Sequence, residues 1–162
     1  MTVKYWLQRD RSDEKARYAV YDDRERLRFT VKGTVKPSGE LMWLYDGSGA
    51  AAGKILRLGF NTFSVYRIRT GRETLRLNIA VAAGRAKVSF PGISFSVRGD
   101  VLSGCYEIID ADGTVICAAR KDFMKSCTQL TVNMEERELF CIGAAVCIDS
   151  LTPERLPSMQ MA

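Results

Sequence analysis

The sequence predicts a mainly β protein, about twelve antiparallel strands closed into a barrel around one hydrophobic C-terminal α-helix. Three observations carry this expectation. Residues 1–134 alternate apolar and polar side chains, broken by turn signals at the spacing of an all-β domain, about every 8–12 residues. A single segment near the C-terminus, Leu139 to Ile148, is apolar on every side rather than along one stripe. The chain has 162 residues, the size of one domain able to bury a substantial core.

The strands are expected at roughly 3–9, 16–22, 26–33, 40–46, 51–58, 62–70, 73–82, 85–90, 93–101, 104–110, 113–121 and 127–133. The clearest hairpin is Cys105-Tyr-Glu-Ile-Ile-Asp110-Ala-Asp-Gly113-Thr-Val-Ile-Cys117, where aspartate at the first and glycine at the fourth turn position suit a type I turn. Trp43-Leu-Tyr-Asp46-Gly-Ser-Gly49 repeats the design. Tyr18-Ala-Val-Tyr-Asp22-Asp-Arg-Glu25 is a third copy without the glycine.

In the middle of the chain the register can be read directly. Gly71-Arg72 as a two-residue loop sets Thr70 against Glu73, Ile68 against Leu75 and Arg67 against Arg76. Ala83-Gly84 sets Ala82 against Arg85, Ala80 against Lys87 and Ile79 against Val88. One face then collects Tyr66, Ile68, Leu75, Leu77, Ile79, Val81, Ala86, Val88 and Phe90, and the other collects the arginines and lysines. A one-residue slip would destroy that division. Pro91-Gly92 turns the chain once more.

Asn133 followed by Glu136 resembles a capping box, so a helix is expected at about 135–150, ended by Thr152-Pro153. Eight strands close a barrel that its own side chains fill, whereas twelve leave a wider lumen. An apolar helix kept slim by Gly143, Ala144 and Ala145 would plug it. One domain is expected over 1–151, with a tail at 152–162.

The turn-marked hairpins together with Cys141-Ile-Gly-Ala-Ala-Val-Cys-Ile-Asp149 resemble the LURP-one-related proteins, relatives of phospholipid scramblases and of the tubby C-terminal domain. The resemblance runs from about Tyr5 to Leu151. It implies the same twelve-stranded barrel around a C-terminal helix, and a cytoplasmic or membrane-associated protein. Scramblases carry an acidic segment before the helix, proposed to bind calcium. The matching stretch, Lys125 to Asn133, contains no carboxylate, so calcium control is not expected. Tubby domains bind phosphoinositide headgroups through basic side chains, which as analogy implies anion binding and nothing narrower.

Composition excludes much chemistry. The chain has no histidine, which removes Ser-His-Asp, Cys-His and histidine-ligated metal arrangements. Five cysteines include no CxxC pair, and Cys141 and Cys147, six apart, sit roughly 120° apart on a helix and cannot bridge. Reduced, mostly buried thiols are expected, with Cys127, near Lys121 and Lys125, the least implausible reactive one. Asp110 is accounted for by its turn role and Asp112 by an exposed loop position. Neither a cofactor nor a catalytic residue is expected, and the protein is read as non-enzymatic. Nothing resembling a secretory signal follows Met1, and the ten-residue apolar run is about half a membrane span. A cytoplasmic protein, at most peripheral at a membrane, is expected.

The charge is uneven. Lys54 to Arg98 holds nine basic residues and one acid, Glu73; the remaining fifteen basic and eighteen acidic residues give −3, within a net +5. Arg67 opposite Arg76 costs stability unless something negative is near. Arg67, Arg69, Arg76, Arg85 and Lys87 are therefore the candidate anion-binding residues. The expected partner is an anionic phospholipid or membrane surface, with an acidic protein, or an enzyme working at the barrel ends, as the rival readings. Nucleic acid is disfavoured, because the patch lacks interleaved aromatic residues. The plainer reading of the same charges is a solvated barrel exterior.

Overall fold

The structure, a computed structural model of the chain, describes residues 2–36, 39–60, 62–71 and 73–151. Arg72, Thr152-Pro153 and the tail expected at 152–162 lie outside the described residues. The strands are β1 (Val3–Arg9), β2 (Ala16–Asp22), β3 (Leu27–Lys36), β4 (Gly39–Asp46), β5 (Ala51–Phe60) and β6 (Phe63–Thr70). They continue as β7 (Glu73–Ala82), β8 (Arg85–Ser89), β9 (Ser96–Asp100), β10 (Cys105–Ile109), β11 (Val115–Asp122) and β12 (Cys127–Val132). Each pairs with the next, and β1 closes the ring on β12 from Val3↔Val132 to Gln8↔Cys127. Closure pairs the strand edges around the ring, with the β8–β9 seam held at the single position Ser89↔Ser96.

Turn chemistry starts the hairpins. At Asp46 and at Asp110 the carboxylate accepts backbone N–H groups two and four residues on, and the residue three on is glycine at φ +87° or +81°. Asp22 builds the same turn. The register read from the sequence for β6, β7 and β8 is the one observed, Arg67↔Arg76 and Ala80↔Lys87 included. Of its inward row, Tyr66, Ile68, Leu75, Leu77, Ile79, Val88 and Phe90 are buried, while Val81 and Ala86, beside the β7–β8 loop, are half-buried against the core. Close packing within the sheet also asks for glycine. Gly99, at φ +109°, lies where a Cβ would come within 2.6 Å of the Cys105 carbonyl oxygen.

The helix α1 (Glu138–Asp149) fills the lumen, and Phe140 to Ile148 are buried without interruption. It starts later than the capping-box reading expects. Residues 135–137 form a 3₁₀ turn, and neither it nor α1 has a side-chain cap. Asn133 is already engaged: its amide donates to the Val115 carbonyl and its Oδ1 accepts from Thr2. The strand end has claimed the side chain that a cap would need.

β9 is also shorter than expected. β8 and β9 meet only at Ser89↔Ser96, because residues 90–95 form a turn from which Phe90 and Phe95 face inward to build an aromatic cluster. Phe90, Phe95 and Phe140 pack edge-on or tilted at 5.8–6.1 Å between ring centroids, seating the start of the helix at that seam.

Candidate anion-binding face of the barrel

Alternation along β4–β8 sorts the side chains into the lumen or onto the outer wall. Three of the outward rows across the strands carry Lys54, Arg67, Arg69, Arg76 and Lys87. The first sets Trp43 against Lys54, Lys54 against Arg69 and Arg69 against Thr74. The second sets Leu41 against Leu56, Leu56 against Arg67 and Arg67 against Arg76. The third, toward the end where α1 terminates, places Phe63 against Ala80 and Ala80 against Lys87. Lys54 Nζ lies 5.2 Å from the centre of the Trp43 ring, a cation held on an aromatic face.

The five residues singled out from the sequence thus fall into two groups. Arg67, Arg69 and Arg76 are neighbours at mid-wall, joined by Lys54. Arg85 and Lys87 sit at the rim; Lys87 faces Ala80, four residues along β7 from Arg76, or about 13 Å. Other members of the basic segment are elsewhere. Arg57 has inward parity, between Glu40 and Tyr66, and Arg98 is neutralised by Glu107 at 2.9 Å.

Among the described residues none of Arg67, Arg69, Arg76, Arg85 and Lys87 makes an ion pair with a carboxylate. The described carboxylates of β4–β8 all take inward parity at the strand ends. Glu40 pairs with Arg17, Glu73 with Arg137, and Asp46 with its own turn. The outer wall here is cationic without internal compensation. Lys54 and Trp43 belong to it, and sequence reasoning missed their role, since the Trp43–Lys54 pairing exists only through the β4–β5 register.

A second polar cluster lies where α1 ends. Asp149, nearly buried, accepts from Arg9 Nε at 3.1 Å, Lys121 Nζ at 3.1 Å and the Tyr18 hydroxyl at 2.9 Å. Arg9 also donates to the Asp149 carbonyl, satisfying a helix-terminal acceptor. Burial pushes the Asp149 carboxyl up, but Lys121 and Arg9 outweigh it and hold it below the usual carboxylate range. The cations are consumed by this latch, so it binds the helix rather than a ligand.

The thiols divide as expected, with Cys117, Cys127, Cys141 and Cys147 buried and Cys105 exposed. Cys127 is a poor nucleophile. Burial and then Asp122 push its thiol up, and Lys125 does not reverse this. The Asp110 carboxylate is spent on its turn, accepting the backbone N–H groups of Asp112 and Thr114, and Asp112 is an exposed turn residue. Among the described residues no group of three or more His, Cys, Asp or Glu could hold a metal, and no helix is long and apolar enough to cross a membrane.

A closed twelve-stranded antiparallel barrel threaded by its own C-terminal helix places the chain in the class of mainly β folds whose lumen is filled by a helix. Within that class this chain belongs to the LURP-one-related family, whose pattern it matches over residues 3–149. It is similar in fold to an Arabidopsis thaliana protein solved by X-ray crystallography, at 17% identity and a TM-score of 0.62, over 93% of this chain and 91% of that one. No curated protein matches it.

Proposed function

We propose that the protein is a non-enzymatic, cytoplasmic binding protein that associates peripherally with anionic phospholipid headgroups through the outer wall of β5–β8. Arg67, Arg69 and Arg76, with Lys54 beside them, form the centre of the site. Arg85 and Lys87 extend it toward the rim. The observation that carries this reading is Arg67 directly opposite Arg76 on a face whose described outward positions hold no carboxylate. Like charges so placed destabilise the sheet, and an anionic headgroup relieves them.

Each cation near an anionic leaflet contributes about 1 kcal/mol. The double variant Arg67→Glu with Arg76→Glu should therefore weaken flotation with phosphatidylserine-containing vesicles by about tenfold or more. Raising the salt from about 0.05 to 0.3 M should weaken wild-type binding too. Unchanged binding of the double variant at low salt would remove the basic wall from consideration. Salt-sensitive retention by an acidic protein, with no vesicle binding, would move the same wall to the protein-partner reading.

A further inference from the structure

The same wall carries a second feature that headgroup binding does not use. Outward positions of a sheet that faces water are ordinarily polar. Here Leu56 and Leu58 on β5 and Phe63 and Val65 on β6 all point outward, with Leu58 paired to Val65. Leu58 is 43% exposed and Phe63 48% exposed. Neither is a lone surface residue, because register places them in adjoining rows. The cations border this strip on two sides, Arg67 and Arg76 across one row and Lys87 beyond Ala80.

We propose that Leu58 and Phe63 are a hydrophobic anchor, entering the acyl boundary of an anionic membrane while the flanking cations hold its headgroups. The proposal rests on the lipid reading of the basic wall and narrows it to an intact bilayer interface. A soluble anion would satisfy the arginines and leave the strip in water. A bilayer presents negative charge and hydrocarbon within about 5–10 Å of depth, which matches cations and apolar side chains on neighbouring rows of one wall. Contiguous apolar surface rimmed by polar groups marks an interaction site. Phe123 and Met124 are also exposed, but on the β11–β12 loop, six strands around the twelve-stranded ring and so on the opposite side. They provide the control.

The test uses the full chain and vesicles of phosphatidylcholine with phosphatidylserine. Leu58→Ser with Phe63→Ser, all cations retained, should bind about tenfold more weakly than wild type. Phe123→Ser with Met124→Ser should bind as wild type does. Phe63→Trp should gain fluorescence quenching by brominated lipid relative to the wild-type chain, a readout that does not depend on the serine variants. If wild type binds, Arg67→Glu with Arg76→Glu weakens binding, and the Leu58/Phe63 variant binds normally with Phe63→Trp unquenched, the anchor is overturned and the headgroup site stands. If wild type binds no anionic vesicle, the lipid reading fails and takes the anchor with it.

Discussion

Glu25 occupies a backbone conformation that two sister turns give to glycine. Its φ is +61°, where Gly49 and Gly113 have +87° and +81°, and all three donate to the carbonyl of the aspartate that opens the turn. A side chain in the left-handed region costs about 1 kcal/mol relative to glycine. Glu25 is exposed, so little is lost by removing it. Glu25→Gly should raise unfolding stability by about 1 kcal/mol in urea titration. Asp149 is the opposite case, a side chain whose partners make it costly to remove. Its carboxyl is held below the usual range in the folded chain, so it stabilises the fold above its unfolded pKa of about 3.9, and that contribution is lost as pH falls through the folded value. Asp149→Asn removes the buried charge that Arg9 and Lys121 converge on and should cost about 3 kcal/mol at pH 7. At pH 3 and below, the gap between variant and wild type should narrow. Urea melts at the two pH values check both statements.

At the scale of the element, α1 shows what a filled lumen demands. Nine consecutive residues are buried, so the helix has no wet face to tolerate bulk. Gly143 is a point of close approach to the wall. A Cβ there would lie 2.9 Å from Cγ2 of Ile68 on β6, with Ile55 of β5 also near. Gly143→Leu must push the helix off β5 and β6, and should lower stability by about 3 kcal/mol or disorder the core. Thermal unfolding together with the near-ultraviolet circular dichroism of the buried Tyr66 and Phe140 environment reads this out. The two ends of the element are held differently. Its start is seated by Phe90, Phe95 and the ring contact of Arg137 over Phe95 at 5.5 Å, and its finish by the Asp149 latch. The aromatic cluster also plugs the seam that β8 and β9 leave with a single paired position.

At the scale of the whole molecule, the barrel sorts charge as well as it sorts apolar side chains. The local surplus of positive charge between Lys54 and Arg98 is not one patch: Arg57 turns inward, Arg98 is paired, and Lys54, Arg67, Arg69, Arg76, Arg85 and Lys87 stand on one wall. The tests of that wall proposed above, by charge reversal and by removal of the apolar strip, read different forces, because salt screens the first and not the second.

Much of this was legible without coordinates. Aspartate three residues before glycine marks a turn by local hydrogen bonding. The β6–β7–β8 register follows from two short loops, since any slip would bury arginines. A segment apolar on all sides has to be enclosed, and with about twelve strands available the lumen is where it fits. The helix start was misread because Asn133 had two uses open to it, and only the neighbouring strand shows which one prevails. The outward leucines were opaque for a related reason. In Lys54-Ile-Leu-Arg-Leu58 apolar residues occupy both parities, so alternation alone does not separate core from wall.

The sequence by itself determined the fold class, the hairpin order, the register of the central strands and the existence of one buried helix. Each of these depends on neighbours a few residues apart, or on a periodicity that survives only in one arrangement. Tertiary structure alone decided which cations share a wall and that Leu58 and Phe63 adjoin them. It also decided that Arg9 reaches Asp149 and in which register β1 closes on β12. Those contacts join residues far apart in the chain, and they exist only once the closed ring sets the distance and direction between its strands.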